Sequence, residues 1–149
     1  MIRPYHEQYQ AELIELLKLN VPRYFAPAEV EDFKEYLSHH VESYFVMEQG
    51  KMIVGCGGIN YIPQEGIARL SWDIIHPDHQ GKGIGTELTR YRIGEIKKHS
   101  GIRTIIVRTT QLVYPFYEKL GFPLDKTETD FWAPGFDLYQ MKMELAEVL

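Results

Sequence analysis

The chain of 149 residues holds one cysteine, Cys56. A single thiol excludes an internal disulfide framework and suits a reducing compartment. No run of about 18 apolar residues is present, which excludes a helical membrane span. The opening residues MIRPYHEQYQ lack a basic segment followed by an apolar one, so no secretory signal is expected. Repeats, low-complexity tracts and linkers are missing too. Positive charge is in overall deficit, with a net charge of -5, which weighs against a general nucleic-acid partner. These absences lead to the expectation of a cytoplasmic protein with neither a nucleic-acid nor a membrane partner.

What is present is globular in type. The apolar fraction is 44% and the charged fraction 25%. The length suits one domain, residues 1–149, able to bury a core without staples. Charge is distributed unevenly. From Lys82 to Arg108 there are seven Lys/Arg and two Asp/Glu, a balance of +5 in a chain of net -5. This is either a solvated helix face or a basic rim around an anionic ligand.

The periodicities alternate between helix and strand. IRPY reads as a short strand. Tyr9, Leu13, Leu16 and Leu17 share one helix face, and Asn20 and Pro22 stop that helix. A second helix starts near Pro27, with Val30, Phe33 and Leu37 as its stripe. SYFVME and KMIVGCGGINYI flank Gln49-Gly50 as a hairpin, and Gly55, Gly57 and Gly58 suggest a bulge or splay. IARLSWDII follows, with Ala68, Leu70, Trp72 and Ile74 on one face and Arg69, Ser71, Asp73 and Ile75 on the other. A helix from about Gly83 to His99 places Ile84, Leu88 and Tyr91 together, widened by Ile96. IRTIIVRT reads as a buried strand, LVYPFYEKLGF as a short helix and FDLYQMKMEL as the last strand, with DFWAPGF a loop before it. The order β-α-α-β-β-β-α-β-α-β implies an α+β fold: a mixed sheet with helices on both faces.

Chemistry concentrates in HPDHQGKGIGTELT, His76 to Thr89. A strand ends, glycines follow, and a helix opens among them. The first amides of a helix lack internal partners and carry partial positive charge, and glycine lets the backbone approach closely. The combination suits a phosphate or diphosphate. No GxxxxGK[ST] is present, and Gly81 to Thr86 reads GxGxGT rather than GxGxxG. A glycine-rich helix start without a ligand remains open on this stretch alone.

Gln80-Gly81-Lys82-Gly83-Ile84-Gly85 fits Q/R-x-x-G-x-G/A and so resembles the signature of the GNAT acyltransferases. Ile75-His76-Pro77 is similar to the V-x-P element that precedes it in that family. Phe116-Tyr117-Glu118-Lys119-Leu120-Gly121-Phe122 is similar to the later fY-x-k-x-GF element. The element order resembles the GNAT fold over essentially the whole chain.

The resemblance implies a mostly antiparallel GNAT-type sheet with a central splay. It implies acetyl-CoA as acyl donor, with the diphosphate on the backbone of Gln80, Gly81, Lys82, Gly83, Ile84 and Gly85, and Thr86 adding its amide or hydroxyl. The pantetheine arm would pair with backbone near Ile74 and Ile75, and amides near Ile75 would receive the oxyanion. The basic excess would then meet the CoA phosphates. Transfer would go directly from the thioester to an amine. Tyr117 falls at the family's general-acid tyrosine; an ordinary phenol can protonate a thiolate only with help from its environment. Many relatives carry glutamates where Arg69 and Ser71 stand, so Asp73 becomes the base candidate beside a water chain. Thr110 stands where relatives often have a cofactor-contacting asparagine.

Other residues are read more simply. His76 and His79 form H-x-x-H without a third ligand, so no metal is expected. His39-His40 ends a helix at the surface, and Cys56 is a small strand residue. Tyr24, Phe25, Trp72, Phe131 and Trp132 suit a core, a homodimer contact or an acceptor pocket. Their placement in expected loops favours a pocket wall for Tyr24, Phe25 and Trp132. The leading expectation is an acetyl-CoA-dependent N-acetyltransferase whose acceptor is a small-molecule, amino-acid or peptide amine. The alternative is a CoA-binding sensor or regulatory module with weak or no catalysis.

Overall fold

The computed structural model describes residues 1–145. Among these, strands β1 (Ile2–Pro4), β2 (Ser43–Gln49), β3 (Met52–Ile62), β4 (Ile67–Ile75), β5 (Thr104–Thr109), β6 (Leu124–Ala133) and β7 (Phe136–Glu144) form one sheet. Helices α1 (Gln10–Lys18), α2 (Glu29–His39), α3 (Ile84–Lys97) and α4 (Tyr114–Lys119) flank it. The strand order is β1-β2-β3-β4-β5-β7-β6. Only β4 and β5 run parallel, joined by the α3 crossover; the remaining pairs are antiparallel. No described helix is long and apolar enough to cross a membrane.

Helices α1 and α2 cover one face. Leu13, Leu16, Leu17, Phe33, Tyr36 and Leu37 pack there on Tyr44, Val46, Cys56 and Ile74. Glu29, Glu31 and Asp32 crowd the first turn of α2, where the helix dipole favours acids. Helices α3 and α4 cover the other face, around Ile59, Leu70, Ile96, Ile105, Tyr117 and Phe122.

Three features depart from the sequence reading. First, the α3 stripe is Ile84, Leu88, Arg92 and Ile96, while Tyr91 is 39% exposed. An unbroken i, i+4 series puts Arg92 in the core, and hydropathy alone favours Tyr91. Second, the segment expected as a loop around DFWA is the end of β6, paired with β7. Its residues from Leu124 to Phe131 are exposed, so no apolar alternation marked the strand. Third, β4 does not alternate faces along its length. Its register against β3 shifts between Cys56 and Gly58, and Trp72 has φ +51. Two β4 residues, Trp72 and Asp73, oppose Gly57 in this bulge. Leu70 lies on the α3/α4 face, yet Trp72 and Ile74 pack on the α1/α2 face. Asp73 therefore leaves the face of Arg69 and Ser71 and turns toward α3 and α4.

The bulge also opens the sheet. Strands β4 and β5 pair from Ile67–Thr104 to Leu70–Val107 and no further. Ser71 to Ile75 thus have no β5 partner, and this splay sits at the mouth of the glycine loop.

Candidate active site

A cavity of about 870 Å³ follows the splay from the glycine loop to the α1/α2 side of the sheet. At one end α3 begins. Gly83 caps it with φ +82, and Gly81 has φ +77. Both values lie in the left-handed region that side chains rarely adopt, so these two positions require glycine. A Cβ at Gly85 would instead lie 3.1 Å from Phe116 Cζ, so this glycine lets α4 pack against α3. Gln80, Gly81, Gly83, Ile84, Gly85 and Thr86 line the cavity; Lys82 points to solvent and does not. The opening amides of α3 have no helical partner, and the residues that carry them border the cavity.

The β4 edge comes next. His76 N–H donates to Val54 O at 2.8 Å, so strand alternation turns the Ile75 amide into the gap. The Ile75 carbonyl already accepts from Asn20 Nδ2 at 3.2 Å. Asn20, expected only as a helix stop, is buried and ties α1 to the edge of the splay. Ile75 lines the cavity, whereas Ile74 is packed in the α1/α2 core and does not.

Beneath the splay sits a buried charged group. Arg92 Nη1 donates to Asp73 Oδ1 at 2.6 Å and Nη2 to Oδ2 at 2.8 Å, a bidentate pair. Arg92 Nη1 also reaches Gly58 O at 3.0 Å, and Nε reaches Leu88 O at 3.3 Å. The Tyr117 hydroxyl donates to Asp73 Oδ2. Arg92 is 1% exposed, so the pair replaces its hydration. Burial alone would lower the guanidinium pKa; the charge and hydrogen bonds of Asp73 outweigh it and raise the pKa. Burial, then the charge of Asp73, push the Tyr117 phenol well above its ordinary range. Space for this group comes from Gly57, where a Cβ would lie 2.9 Å from both Arg92 Cζ and Asp73 Oδ1. The i, i+4 spacing of Arg92 was the sequence signal for it.

Cys56 lies nearby, fully buried, with Tyr44 Oη donating to its Sγ at 3.3 Å. Burial pushes its thiol up to about 12, which is unsuited to a nucleophile. Thr110 lines the cavity, but its Oγ1 accepts from Leu112 N–H at 3.2 Å, a local turn contact. His76 and His79 stack edge to face at 5.1 Å; no group of three or more metal-ligating side chains occurs among the described residues.

The α1/α2 end has a different character. Tyr24, Phe25 and Trp132 line it. Phe25 stacks on Trp72 at 6.3 Å, and Trp132 Nε1 donates to Thr109 O at 3.1 Å. Glu29, 8% exposed, also lines the cavity; its Oε2 accepts from Ala26 N–H at 2.7 Å. Burial raises its carboxyl pKa. Arg69 and Arg108 complete this wall. Two cations of the basic segment are thus withdrawn from any rim: Arg92 is inside, and Arg108 faces the α1/α2 side.

A family profile described as "Acetyltransferase (GNAT) domain" matches residues 8–145. The amino-acid acetyltransferase of Aeromonas salmonicida is 27% identical over 92 residues, 62% of this chain and 21% of that protein. The chain spans about a fifth of the length of the curated relatives it matches. The ribosomal-protein-S18-alanine N-acetyltransferase of Escherichia coli superposes with TM-score 0.80 at 15% identity, covering 100% of this chain and 96% of that one. An aminoglycoside 6'-N-acetyltransferase complexed with coenzyme A gives TM-score 0.78 at 18% identity, covering 100% and 99%.

Proposed function

The chain belongs to the GNAT acetyltransferase family, and from that premise we propose that residues 1–149 form one acetyl-CoA-dependent N-acetyltransferase acting on a primary amine. The observation that carries this reading is a juxtaposition. Free helix-start amides, an unpaired β4 edge and the Tyr117 hydroxyl border one cavity that continues to the opposite sheet face. The residues fit the donor: the backbone from Gln80 to Thr86 suits its diphosphate, the Ile75 edge its amide-bearing arm, and Thr110 lies alongside. Lys82 adds favourable charge from outside. Bound acetyl-CoA supplies a thioester acetyl group; the C–N bond to the neutral amine forms as C–S breaks, one amine proton passes to a base, and CoA leaves as a thiolate that takes a proton from solvent.

The chain's own groups divide the work. The Ile75 amide points into the gap and stabilises negative charge developing on the acyl oxygen. Tyr117 serves the departing sulfur by turning its hydroxyl from Asp73 toward it. Its raised pKa makes it a hydrogen-bond donor rather than a source of a free proton. Asp73 is a positioning residue: both its oxygens already accept hydrogen bonds, and it holds the Tyr117 ring beside the cavity until its hydroxyl turns to the sulfur. Glu29 is the proton acceptor that the geometry favours for the amine. It lines the acceptor end, and burial moves it toward the range where a base works near neutrality. Tyr24, Phe25 and Trp132 wall the acceptor.

Acetyl-CoA should raise the melting temperature by mass action, and Gly83→Asp should abolish that rise through backbone strain and anion repulsion. No rise at millimolar acetyl-CoA in the wild type would reject the reading.

A further inference from the structure

Arg69 and Arg108 are neighbours on adjacent parallel strands. Arg69 pairs with Ile106, and Arg108 lies two residues further along β5 on the same face. The Oδ1 of Asn60, the β3 partner of Arg69, accepts hydrogen bonds from Tyr36 Oη and Ser71 Oγ, both at 2.7 Å. This fixes the face as the α1/α2 side, opposite α3 and its glycine loop. Two guanidiniums therefore share one wall of the cavity.

Neither has a salt-bridge partner among the described residues; the charge of Glu128 reaches Arg108 only from beyond salt-bridge distance. The Nε atoms of both are buried without a hydrogen-bond partner among the described residues. Arg108 lies over the Phe131 ring at 4.8 Å and the Trp132 ring at 5.9 Å, which holds its planar group in place. Burial, then the charge of Arg69, lower the Arg108 pKa, and the charge of Glu128 offsets only part of this. Two like charges held together with unsatisfied donors are costly unless an anion joins them. Guanidinium forks match a planar carboxylate in shape.

We propose that Arg69 and Arg108 form a carboxylate subsite, so that the acceptor amine belongs to an amino acid with a free carboxylate. This rests on the acetyl-transfer reading for the amine, while the anion site itself stands on the arginine pair. The aromatic wall of Tyr24, Phe25 and Trp132 then meets the side chain. The similarity to curated amino-acid acetyltransferases points the same way.

The binding arm of the test uses the CoA-loaded protein and the turnover arm uses acetyl-CoA. Binding is read from the melting-temperature rise with N-acetyl-L-amino acids and with their carboxamides, and turnover from thiol release with the matching free amines. Acids should bind and react at least about tenfold better than carboxamides. Arg108→Gln and Arg69→Gln should each bring that ratio down toward one; Arg108→Lys should keep part of it. Equal binding of acids and carboxamides to the wild type, or a ratio unchanged in both Gln variants, overturns the subsite. An acid-selective melting shift with no amine prompting thiol release from acetyl-CoA sustains the subsite and rejects acetyl transfer.

Discussion

Two sets of arginine border one cavity and differ in how their charge is met. Arg92, on the α3/α4 side, is fully buried and bidentate to Asp73. Arg69 and Arg108, on the α1/α2 side, are half-buried, and among the described residues they form no salt bridge and their Nε atoms have no hydrogen-bond partner. The buried pair is satisfied within the chain, so its role is to hold the architecture and to keep the Tyr117 ring beside the cavity. The unpaired arginines have unmet donors in an accessible space, so their role lies with a ligand. The same residue type thus has structural or binding work according to its partner.

Removing one member of the satisfied pair is the harshest way to break this contrast. Arg92→Met should destabilise the fold by about 3–5 kcal/mol in urea unfolding, because Asp73 is left uncompensated. Adding Asp73→Leu should recover much of that loss; an equally unstable double variant would contradict the ion-pair account.

Next comes the acceptor side. Glu29→Gln should lower turnover about a hundredfold at neutral pH. The stability effect has the opposite sign. A raised folded pKa means that the native state favours the protonated carboxyl, so stability falls as pH rises through that value. The glutamine is neutral and still accepts from Ala26 N–H, so the variant should melt no lower than wild type above that pH. A variant that is both slow and unstable would make Glu29 structural.

Gly57→Ala sharpens the packing side of the contrast. Its Cβ would collide with Arg92 and Asp73. A loss of about 1–3 kcal/mol is expected from overpacking, with a shift in near-ultraviolet circular dichroism. Tyr117→Phe should have the smallest effect, about tenfold in turnover with acetyl-CoA affinity unchanged, because one hydrogen bond is removed. A rate equal to wild type would remove Tyr117 from the reaction.

What could be read in the sequence was local and contiguous. The Gln80 to Gly85 loop and the Phe116 to Phe122 segment, which holds the end of α4 and its glycine stop, each express their geometry within a few residues. Gly83 and Gly81 carry the left-handed backbone that the loop needs. The missing parts are tertiary. Arg92 completes an i, i+4 stripe, but its carboxylate lies in a distant strand, and a charged residue reads as exposed until that partner is known. The β4 bulge turns on Trp72 at φ +51, a conformation that its residue type does not announce. Past it the simple alternation fails, so alternation alone assigns Asp73 to the wrong face. Strand β6 is a polar edge whose pairing comes from β7 rather than from its own pattern. Arg69 and Arg108, far apart in sequence, become neighbours only through the parallel β4–β5 register.

The most direct measurement is thiol release from acetyl-CoA across a panel of amines, with product mass as confirmation. The account predicts amine-dependent release with an acetylated product, lost in Gly83→Asp. Acetyl-CoA binding that raises the melting temperature, with no amine in the panel accelerating thiol release, would contradict it and favour a CoA-sensing module.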